Sequence, residues 1–413
     1  MNKNIAKWEI VQAVWTLLKW LVLGVAIGAF VGAVGALFGH TLIWVGALRK
    51  LYPFVVYGLP LGGLVIVALY RGAKNTDDKG TNTVIGALQD GTDISFKMAP
   101  LIYISTTLTQ LFGGSAGREG AALQLGGSIA NKAAKILKMK DSSRRMLIMC
   151  GMTAGFSSLF GTPLAASVFS LEIACVGYLQ LGGLVPCVIS AYTGFFMAKL
   201  LKMPPEVFPV EAIPGVTPML LLQVVALAVI VGVVSILFCK LLHGAEHVYS
   251  RFFKNPYLRI AAAGTLLVLL IGATGTRAYL GSGMHIIEEI FHHREGKWYD
   301  FLLKMLFTAV TLGAGFKGGE IVPSFTVGAA LGFACSGILG LPVELAAACG
   351  MTGLFCGVTN CPITALLISF ELFGYAGMPY YIIAVSVSYL ISGYHSLYQK
   401  QRIIWSKTDL VQK

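Results

Sequence analysis

The sequence predicts an all-α integral membrane protein built from two related halves. Of its 413 residues, 56% are hydrophobic and 12% are charged, whereas soluble domains carry about 25% charged residues. Several apolar stretches approach the roughly 20 residues that a membrane-spanning helix needs, and others are shorter or interrupted by glycine and proline. A long motif of the first half is repeated in the second. Together these observations favour a membrane transporter made of many short, broken helices.

Positive charge in loops predicts how the chain lies in the membrane. The 31 Lys and Arg against 19 Asp and Glu give a formal net charge of +12. Much of it falls in three short loops, 135–145, 251–259 and 400–407. Because such loops stay on the cytoplasmic side, we expect both termini there, in the plasma membrane or the inner membrane of a bacterium. The excess charge is thus explained without a nucleic-acid partner.

The N-terminal part predicts two helices followed by a polar turn. Residues 13–38 are studded with Gly and Ala, which pack closely on neighbouring helices in lipid. A second apolar segment covers residues 53–70. Farther on, Lys79-Gly-Thr-Asn-Thr83 opens another short apolar piece. Asn82 and the threonines, Thr81 and Thr83, either cap that helix, which is the more frequent role of such residues, or offer hydrogen-bond donors to an anion.

A glycine-rich stretch, Gly113–Gly127, carries the most informative pattern. It places Arg118 and Glu119 side by side in an otherwise apolar sequence, with glycines on both sides. Charge inside a membrane is costly and is usually kept for an ion pathway. Glycines let backbone N–H groups approach a ligand, and a helix starting at about Ala121 turns its positive end toward the loop. The stretch therefore predicts an anion site with a protonatable gate.

An internal duplication relates the two halves. The segment Cys150–Glu172 is matched by Cys349–Glu371 at a constant offset of 199 residues (349 − 150 and 371 − 172). Near the same spacing, Gly313–Pro323 again places a cation, glycines and a carboxylate, Glu320, before an apolar run. Interrupted hydrophobic segments at matching positions indicate a transporter whose substrate binds between the repeats. Spacing alone leaves open whether the repeats are parallel or inverted.

A proline-rich connector, Pro204–Pro214, separates the halves, because such a segment cannot form a membrane helix. We expect a first membrane repeat over residues 1–203, a connector over 204–216 and a second repeat over 217–403. The short C-terminal tail, 404–413, is too small for an appended soluble domain such as a CBS domain.

At these motifs the sequence resembles the CLC family of anion channels and anion/proton exchangers, over nearly the whole chain. The best marker is Gly117-Arg-Glu-Gly120 followed by Leu123-Gln-Leu-Gly-Gly127, and the segments ending at Glu172 and Glu371 occur in the family's order. The resemblance implies a CLC-type fold of short, tilted and broken helices in two inverted-topology repeats. It also implies a homodimer with one pore per subunit and helix N-termini aimed at a central anion.

The resemblance also implies roles for individual residues. Glu119 falls on the family's external gating glutamate, which competes with the anion and carries the proton. Tyr398 falls on the tyrosine that touches the central anion from the inside. The internal proton-relay glutamate is expected just after Glu172, but Ile173 stands there. Glu172 itself is expected to be structural.

Two further departures resemble one branch of the family. Lys79–Thr83 replaces the usual GSGIP stretch, so the serine that would coordinate chloride is missing. Gly319-Glu-Ile-Val-Pro323 replaces the usual GxFxP stretch and brings Glu320 beside the pore. With Thr359–Pro362 and the ending Gly393–Arg402, these changes resemble the fluoride/proton exchanger branch. The resemblance implies exchange of fluoride for protons; a chloride/proton antiporter or a passive chloride or fluoride channel is the alternative.

The expected site combines helix starts with a movable carboxylate. Fluoride holds its water tightly, so a selective site must replace that hydration with donors. Backbone N–H groups near Gly120–Ala122 and Ile321–Val322 suit this role. When ionised, Glu119 would repel the anion. When protonated, its side chain would leave the anion position and offer an O–H donor. The expected anion-binding set is Gly117, Gly120, Ala121, Ile321, Val322, Tyr398, Thr81 and Asn82, and the expected gating and proton-transfer pair is Glu119 and Glu320.

Four charged residues near the motifs have further interpretations. Arg118 is expected to anchor its loop by a salt bridge or carbonyl contacts. Lys317 either raises the local anion concentration at a pore mouth or sits among lipid headgroups, and Lys79 either lines the pore or reaches the surface. Glu320 is expected to be a second proton-linked carboxylate. Its alternative role is to bond backbone N–H groups and hold the helix break.

An enzyme is the remaining alternative. His243-Gly-Ala-Glu-His247 matches the H-x-x-E-H signature of zinc peptidases. It continues an apolar span that begins near Leu220, and no third ligand stands out, so a polar helix end at the membrane surface is the preferred interpretation. The eight cysteines lie in or beside apolar stretches without metal-site spacing and are expected to be buried thiols. We expect an ion transporter without metal or cofactor.

Overall fold

The computed structural model describes residues 3–76, 78–210 and 213–407, and most of these residues are helical. Sixteen α-helices occur within the described ranges: α1 Lys3–Leu51, α2 Leu59–Gly72, α3 Thr81–Asp90, α4 Met98–Leu111, α5 Glu119–Ile136, α6 Asp141–Phe160, α7 Pro163–Glu172, α8 Leu184–Leu200, α9 Pro218–Phe252, α10 Pro256–Thr274, α11 Met284–Glu288, α12 Asp300–Gly313, α13 Ile321–Leu339, α14 Val343–Thr359, α15 Pro362–Phe373 and α16 Met378–Ile391. Two short strands, β1 (Cys175–Val176) and β2 (Arg402–Ile403), pair in parallel. The prediction of an all-α protein is confirmed.

Six helical segments in the described ranges are long and apolar enough to cross a membrane. They are Trp8–Leu51, Pro53–Gly72, Leu181–Leu200, Pro218–Phe252, Pro256–Thr274 and Ile321–Leu339. Helix α1 extends well beyond the predicted residues 13–38, because no proline interrupts the sequence before Pro53. Other helices are much shorter: α7 has 10 residues and α15 has 12. The chain therefore contains both spanning helices and much shorter ones, as the interrupted apolar stretches predicted.

The sixteen helices fall into two sets of eight that pack in the same pattern. In the first set α5 packs on α6, and both α1 and α6 pack on α8; in the second set α13 packs on α14, and both α9 and α14 pack on α16. Glycines make the equivalent contacts: Gly126 of α5 meets the backbone of Gly151 in α6, and Gly328 of α13 meets that of Gly350 in α14. Small residues let helices approach closely in lipid, so the duplicated sequence produces duplicated packing.

Helices α7 and α15 show that the repeats are inverted. Glu172, at the end of α7, accepts a hydrogen bond from the N–H of Thr364 at the start of α15 (2.9 Å). Glu371, near the end of α15, accepts one from the N–H of Ala165 at the start of α7 (2.8 Å). Both pairs obey the 199-residue offset, so the two helices lie antiparallel about a two-fold axis. Glu172 is therefore a structural helix-capping residue, as expected.

The helix directions define two faces. Helices α1 and α8 run the same way, with Gly24 against Pro186 and Gly32 against Gly194. Strand β1, just before α8, pairs with β2 of the basic segment 400–407, so both helices start on one face, here called the basic face. Because α8 is long enough to cross the membrane, the connector that follows it reaches the opposite face. The described connector residues are non-helical, as their prolines predict.

Candidate functional site

Two glycine loops cross on the axis that relates the repeats. Gly117 and Gly319 form an antiparallel bridge in which each N–H donates to the other's carbonyl (2.6 and 2.8 Å). Each loop turns at a glycine with positive φ, Gly113 at 90° and Gly315 at 103°, a conformation that residues with a Cβ rarely adopt. The members of both pairs are 202 residues apart (319 − 117 and 315 − 113), so the two loops are structural equivalents.

A helix begins directly after each loop. Helix α5 begins at Glu119, two residues before the predicted start at Ala121, and α13 begins at Ile321. The first N–H groups of an α-helix have no partner inside the helix. At the crossing, the N–H groups of Gly120, Ala121, Ile321 and Val322 have no acceptor among the described residues. Two positive helix ends with open donors therefore meet at the crossing.

Two of the expected backbone donors are already occupied. Gly117 donates its N–H to Gly319 across the bridge. Ala122 donates to the carbonyl of Arg118 (2.9 Å), because α5 begins earlier than predicted and uses this bond in its first turn. Gly117 can hold the crossing together, but in this conformation it offers no N–H to an anion.

The proposed gate, Glu119, is fully buried and tied to its neighbour. Its carboxylate accepts hydrogen bonds from the N–H of Arg118 (3.1 Å) and from the Arg118 Nε (3.2 Å). Arg118 also donates to the carbonyl of Leu159 (3.4 Å) and forms an ion pair with Glu206. Arg118 thus makes the anchoring contacts that the sequence predicted, and Glu119 lies beside a fixed cation.

Glu320 directly precedes α13 and lies near the start of two other helices. A Cβ placed on Gly120 would be 3.2 Å from the Glu320 Oε2 and 3.4 Å from the Thr81 hydroxyl oxygen, so both oxygens flank the start of α5. Thr81 is the first residue of α3, and its hydroxyl accepts a hydrogen bond from Gln124 (3.3 Å). The starts of α3, α5 and α13 therefore converge around one carboxylate.

The polar turn before α3 does not cap the helix with its side chains. Gly80 occupies the N-cap position, without a side-chain hydrogen bond there. Asn82 instead accepts a hydrogen bond from the N–H of Lys400 (3.0 Å), which ties α3 to the C-terminal segment. Thr81 and Asn82 therefore do not cap α3, although both lie at its positive end. The Thr83 hydroxyl does accept a hydrogen bond from the N–H of Lys79 (3.0 Å).

Tyr398 presents a hydroxyl without a partner. The side chain is 1% exposed, and its oxygen makes no hydrogen bond to any described residue. The Tyr398 N–H donates to Ser396 (3.0 Å), which fixes the segment after α16. Tyr398 also lies close enough to Glu320 to interact with it electrostatically. Since an unpaired buried hydroxyl costs free energy, this geometry indicates a position that a ligand can fill.

A cavity of about 810 Å³ adjoins the site. Glu320, Thr81 and Asn82 line it, together with cations that include Lys79, Arg259 and Lys317. The Lys317 Nζ lies 4.5 Å from the centre of the Tyr70 ring, a cation–π contact. Because the basic loop 251–259 contributes to the lining, the cavity is on the basic face. Lys317 and Lys79 thus both line a cavity next to the site, and Lys79 is also exposed at the surface.

Part of the stretch 243–247, which matches the zinc-peptidase signature, lines the same cavity. His243 and Glu246 both line it, and the His243 Nε2 is 3.4 Å from the carbonyl oxygen of Leu397. Within the residues that the structure describes, no group of three or more His, Cys, Asp or Glu side chains is arranged to hold a metal ion. The pattern therefore places polar side chains on a helix that faces the cavity.

Two charged residues near the loops were not singled out from the sequence. Glu206 lies in the connector, and its ion pair with Arg118 depends on a contact between residues 88 apart. Lys304 of α12 is fully buried and donates to Ser115 (2.9 Å) and to the carbonyl of Gly281 (2.8 Å). From the sequence alone, Lys304 could have been identified as a lysine within an apolar run, and Glu206 as an acidic residue between prolines.

Comparison with known proteins agrees with this architecture. The family described as voltage gated chloride channel matches residues 61–393. A chloride/fluoride channel protein of Pseudomonas syringae pathovar tomato is 33% identical over 94% of this chain and 87% of its own length. The crystal structure of a CLC-type fluoride/proton antiporter superimposes with a TM-score of 0.91 at 33% identity, covering 94% of this chain and 99% of the other.

A more distant structure shows the same fold. A slow cyanobacterial Cl⁻/H⁺ antiporter superimposes with a TM-score of 0.78 at 20% identity, covering 90% of this chain and 94% of the other. Fold and site together define a membrane ion transporter of inverted repeats. The chain belongs to the CLC, or voltage-gated chloride channel, family.

Proposed function

We propose that this protein exchanges fluoride for protons across the plasma membrane. The observation that carries the proposal is the meeting of open N–H groups at the starts of α5 and α13 with two carboxylates, Glu119 and Glu320. A small, strongly hydrated anion needs such donors to replace its water, and carboxylates are needed to carry protons. Two relatives at 33% identity have fluoride in their descriptions, which supports fluoride as the passenger.

Each candidate residue has a role in this proposal. Glu119 competes with the anion when it is ionised, and leaves the anion position carrying a proton when it is protonated. Gly117 holds the crossing of the two loops. The groups that bind the anion are the N–H groups of Gly120, Ala121, Ile321 and Val322, the start of α3 at Thr81 and Asn82, and the hydroxyl of Tyr398.

Glu320 provides the proton route between Glu119 and the basic face. It lines the cavity there, whereas Ile173 is fully buried and cannot accept a proton. Once the anion has moved, a proton carried by Glu119 can reach Glu320 and leave through the cavity. Strict alternation between fluoride and the protonated carboxyl gives exchange, and inward proton flow drives fluoride out.

The orientation and assembly belong to the same proposal. The basic face is cytoplasmic, because Lys- and Arg-rich loops stay inside, and both termini lie on that side. The repeats divide at the connector, as residues 1–203 and 217–403, with 404–413 as a tail that lies largely outside the described residues. The protein forms a homodimer in the bilayer with one pathway per subunit, a state that cross-linking in native membranes tests.

Flux measurements on reconstituted protein separate fluoride/proton exchange from its alternatives. Liposomes containing the purified protein are loaded with fluoride, and fluoride and proton movements are recorded together with the membrane potential clamped. We expect fluoride efflux to drive proton uptake against an opposing pH gradient. Chloride transport at an equal or higher rate would instead identify a chloride/proton antiporter, and fluoride movement without protons would identify a passive channel.

A further inference from the structure

A carboxylate of the connector reaches the gate from the face opposite the cavity. Glu206 lies between the end of α8 and the start of α9, on the face opposite the basic loops. Its segment is held in place because the N–H of Phe208 donates to the carbonyl of Leu372 (2.9 Å) and the Phe208 ring packs on Phe291 (5.4 Å between centroids). The position of Glu206 is therefore fixed by packing on the second repeat.

Glu206 and Glu119 share one guanidinium. The Nη2 of Arg118 pairs with the Oε1 of Glu206, while the Nε of Arg118 pairs with the Oε1 of Glu119 (3.2 Å). The side chains of Arg118 and Glu206 are each 12% exposed. The Oε2 of Glu206 is buried and has no hydrogen-bond partner in the described chain. One cation thus stands between two carboxylates, and one carboxylate oxygen is left without a donor.

The charge balance favours one bound proton in this group. The ionisable groups that interact with Glu206 are Arg118 and Glu119 at the start of α5 and Glu288 of α11. Burial raises the pKa of Glu206, the charges of Glu119 and Glu288 act in the same direction, and Arg118 opposes them. Two carboxylates that share a single cation titrate as a pair, and the pair retains a proton more readily than either member alone.

We propose that Glu206 is the outer proton-transfer partner of Glu119. This inference rests on the proposed exchange of fluoride for protons. When Glu119 carries its proton into the anion pathway, Glu206 remains as the counter-ion of Arg118, so no buried cation is left unpaired. When Glu119 is ionised, Glu206 takes the proton on its free oxygen from the outer solution and passes it on as the next cycle begins.

Replacing Glu206→Gln tests this role, because glutamine keeps the shape and a hydrogen bond to Arg118 but cannot be protonated or charged. Glu119 then faces Arg118 without a competing carboxylate, and its ionised form is favoured. We therefore expect the pH of half-maximal fluoride/proton exchange to move down by about one unit or more, measured in liposomes from about pH 5 to 9. Glu206→Asp keeps the charge and is expected to restore most of the wild-type profile.

Two controls make the outcome decisive. In a Glu119→Gln background, which carries no gating proton, adding Glu206→Gln is expected to leave the pH profile of fluoride flux unchanged. A structural role would instead lower the rate by the same factor at every pH and leave the midpoint in place, and that result would overturn the proposal. Glu206→Ala, which also removes the charge, is expected to give the same shift and serves if the glutamine variant does not assemble.

The wild-type protein measured in parallel separates the two proposals. Wild-type protein that moves fluoride without protons would contradict the proposed exchange itself. Wild-type protein that couples the two ions, together with an unchanged midpoint in the Glu206 variants, would contradict only the assignment of Glu206.

Discussion

The two glycine loops share a backbone but carry different side chains. Both turn at a glycine, pair with each other and start a helix two residues after the bridge. At equivalent positions, 202 residues apart, Arg118 of the first loop corresponds to Glu320 of the second, and Glu119 corresponds to Ile321. The backbone is symmetric, and the ionisable groups are not.

This difference separates two tasks. The shared backbone provides open N–H groups from both sides, which suits an anion at the axis. The side chains give the pathway a direction: Glu119 is held by Arg118 and the connector, while Glu320 faces a cavity on the basic face. A symmetric scaffold can therefore support transport whose two ends handle protons differently.

The largest effect is expected from Glu119→Gln, which removes the gating carboxyl of the first loop. The amide fills the same volume but cannot exchange a proton, so proton uptake driven by a fluoride gradient should fall to the level of protein-free liposomes. Passive fluoride flux should remain, which also shows that the variant has assembled. Intact proton coupling in this variant would remove Glu119 from the mechanism.

Glu320→Gln removes the carboxyl of the second loop and tests whether the two loops divide the work. Loss of a proton-transfer group lowers rates by about 10²-fold or more, and we expect a decrease of this order in coupled exchange. The measurement is the initial rate of fluoride-driven proton uptake at saturating fluoride. A rate near that of the wild type would favour the alternative in which Glu320 only holds the helix break.

Gly319→Ala tests the shared backbone. A Cβ at this position would lie 2.6 Å from the nitrogen of Gly120 and 3.2 Å from its Cα, and backbone atoms cannot yield locally. Overpacking of this kind costs about 1–3 kcal/mol, so we expect a lower thermal midpoint and weaker fluoride transport. The midpoint is read from the loss of monodisperse protein in detergent on heating.

Gly337→Ala is the matched control in α13, the helix that follows the second loop. A Cβ there would meet no atom within 4 Å, and alanine is better than glycine in a helix by about 0.5–1 kcal/mol. We expect an equal or higher thermal midpoint and unchanged flux. Equal losses in both variants would show that the crossing of the loops is not specially sensitive.

Much of this architecture was predictable from the sequence because it depends on local patterns. Apolar length predicted the spanning helices, the 199-residue duplication predicted two halves, and glycines beside Glu119 predicted a helix start with open N–H groups. The inverted relation of the two repeats could not be predicted from the 199-residue spacing, because an offset between two segments does not show which way each segment runs. It follows from the exchanged bonds of Glu172 and Glu371, which join the two repeats.

Of the features that the sequence did not predict, one is local and two depend on distant contacts. The helix start was misplaced by two residues because helix-forming preference alone does not show which carbonyl takes the N–H of Ala122. Asn82 was interpreted from its neighbours, but its partner, Lys400, lies 318 residues away. Glu206 looked like part of a linker until the fold placed it against Arg118.

The smallest effect is expected from Tyr398→Phe, which removes one donor without disturbing the two loops. The hydroxyl has no partner among the described residues, so its loss breaks no bond within the described protein. If it donates to the anion, a hydrogen bond to a charged group worth about 1.5 kcal/mol is lost, and the KM for fluoride should rise about tenfold with little change in kcat.

Tyr381→Phe separates anion binding from the general effect of removing a buried hydroxyl. Tyr381 is also fully buried with an unpartnered hydroxyl, but it belongs to α16 rather than to the segment beside Glu320. We expect the KM of this variant for fluoride to match that of the wild type, because no anion lies within reach of Tyr381. Equal changes in the two variants would mean that Tyr398 acts through packing, and the inner side of the site would then be formed by backbone groups and Thr81 alone.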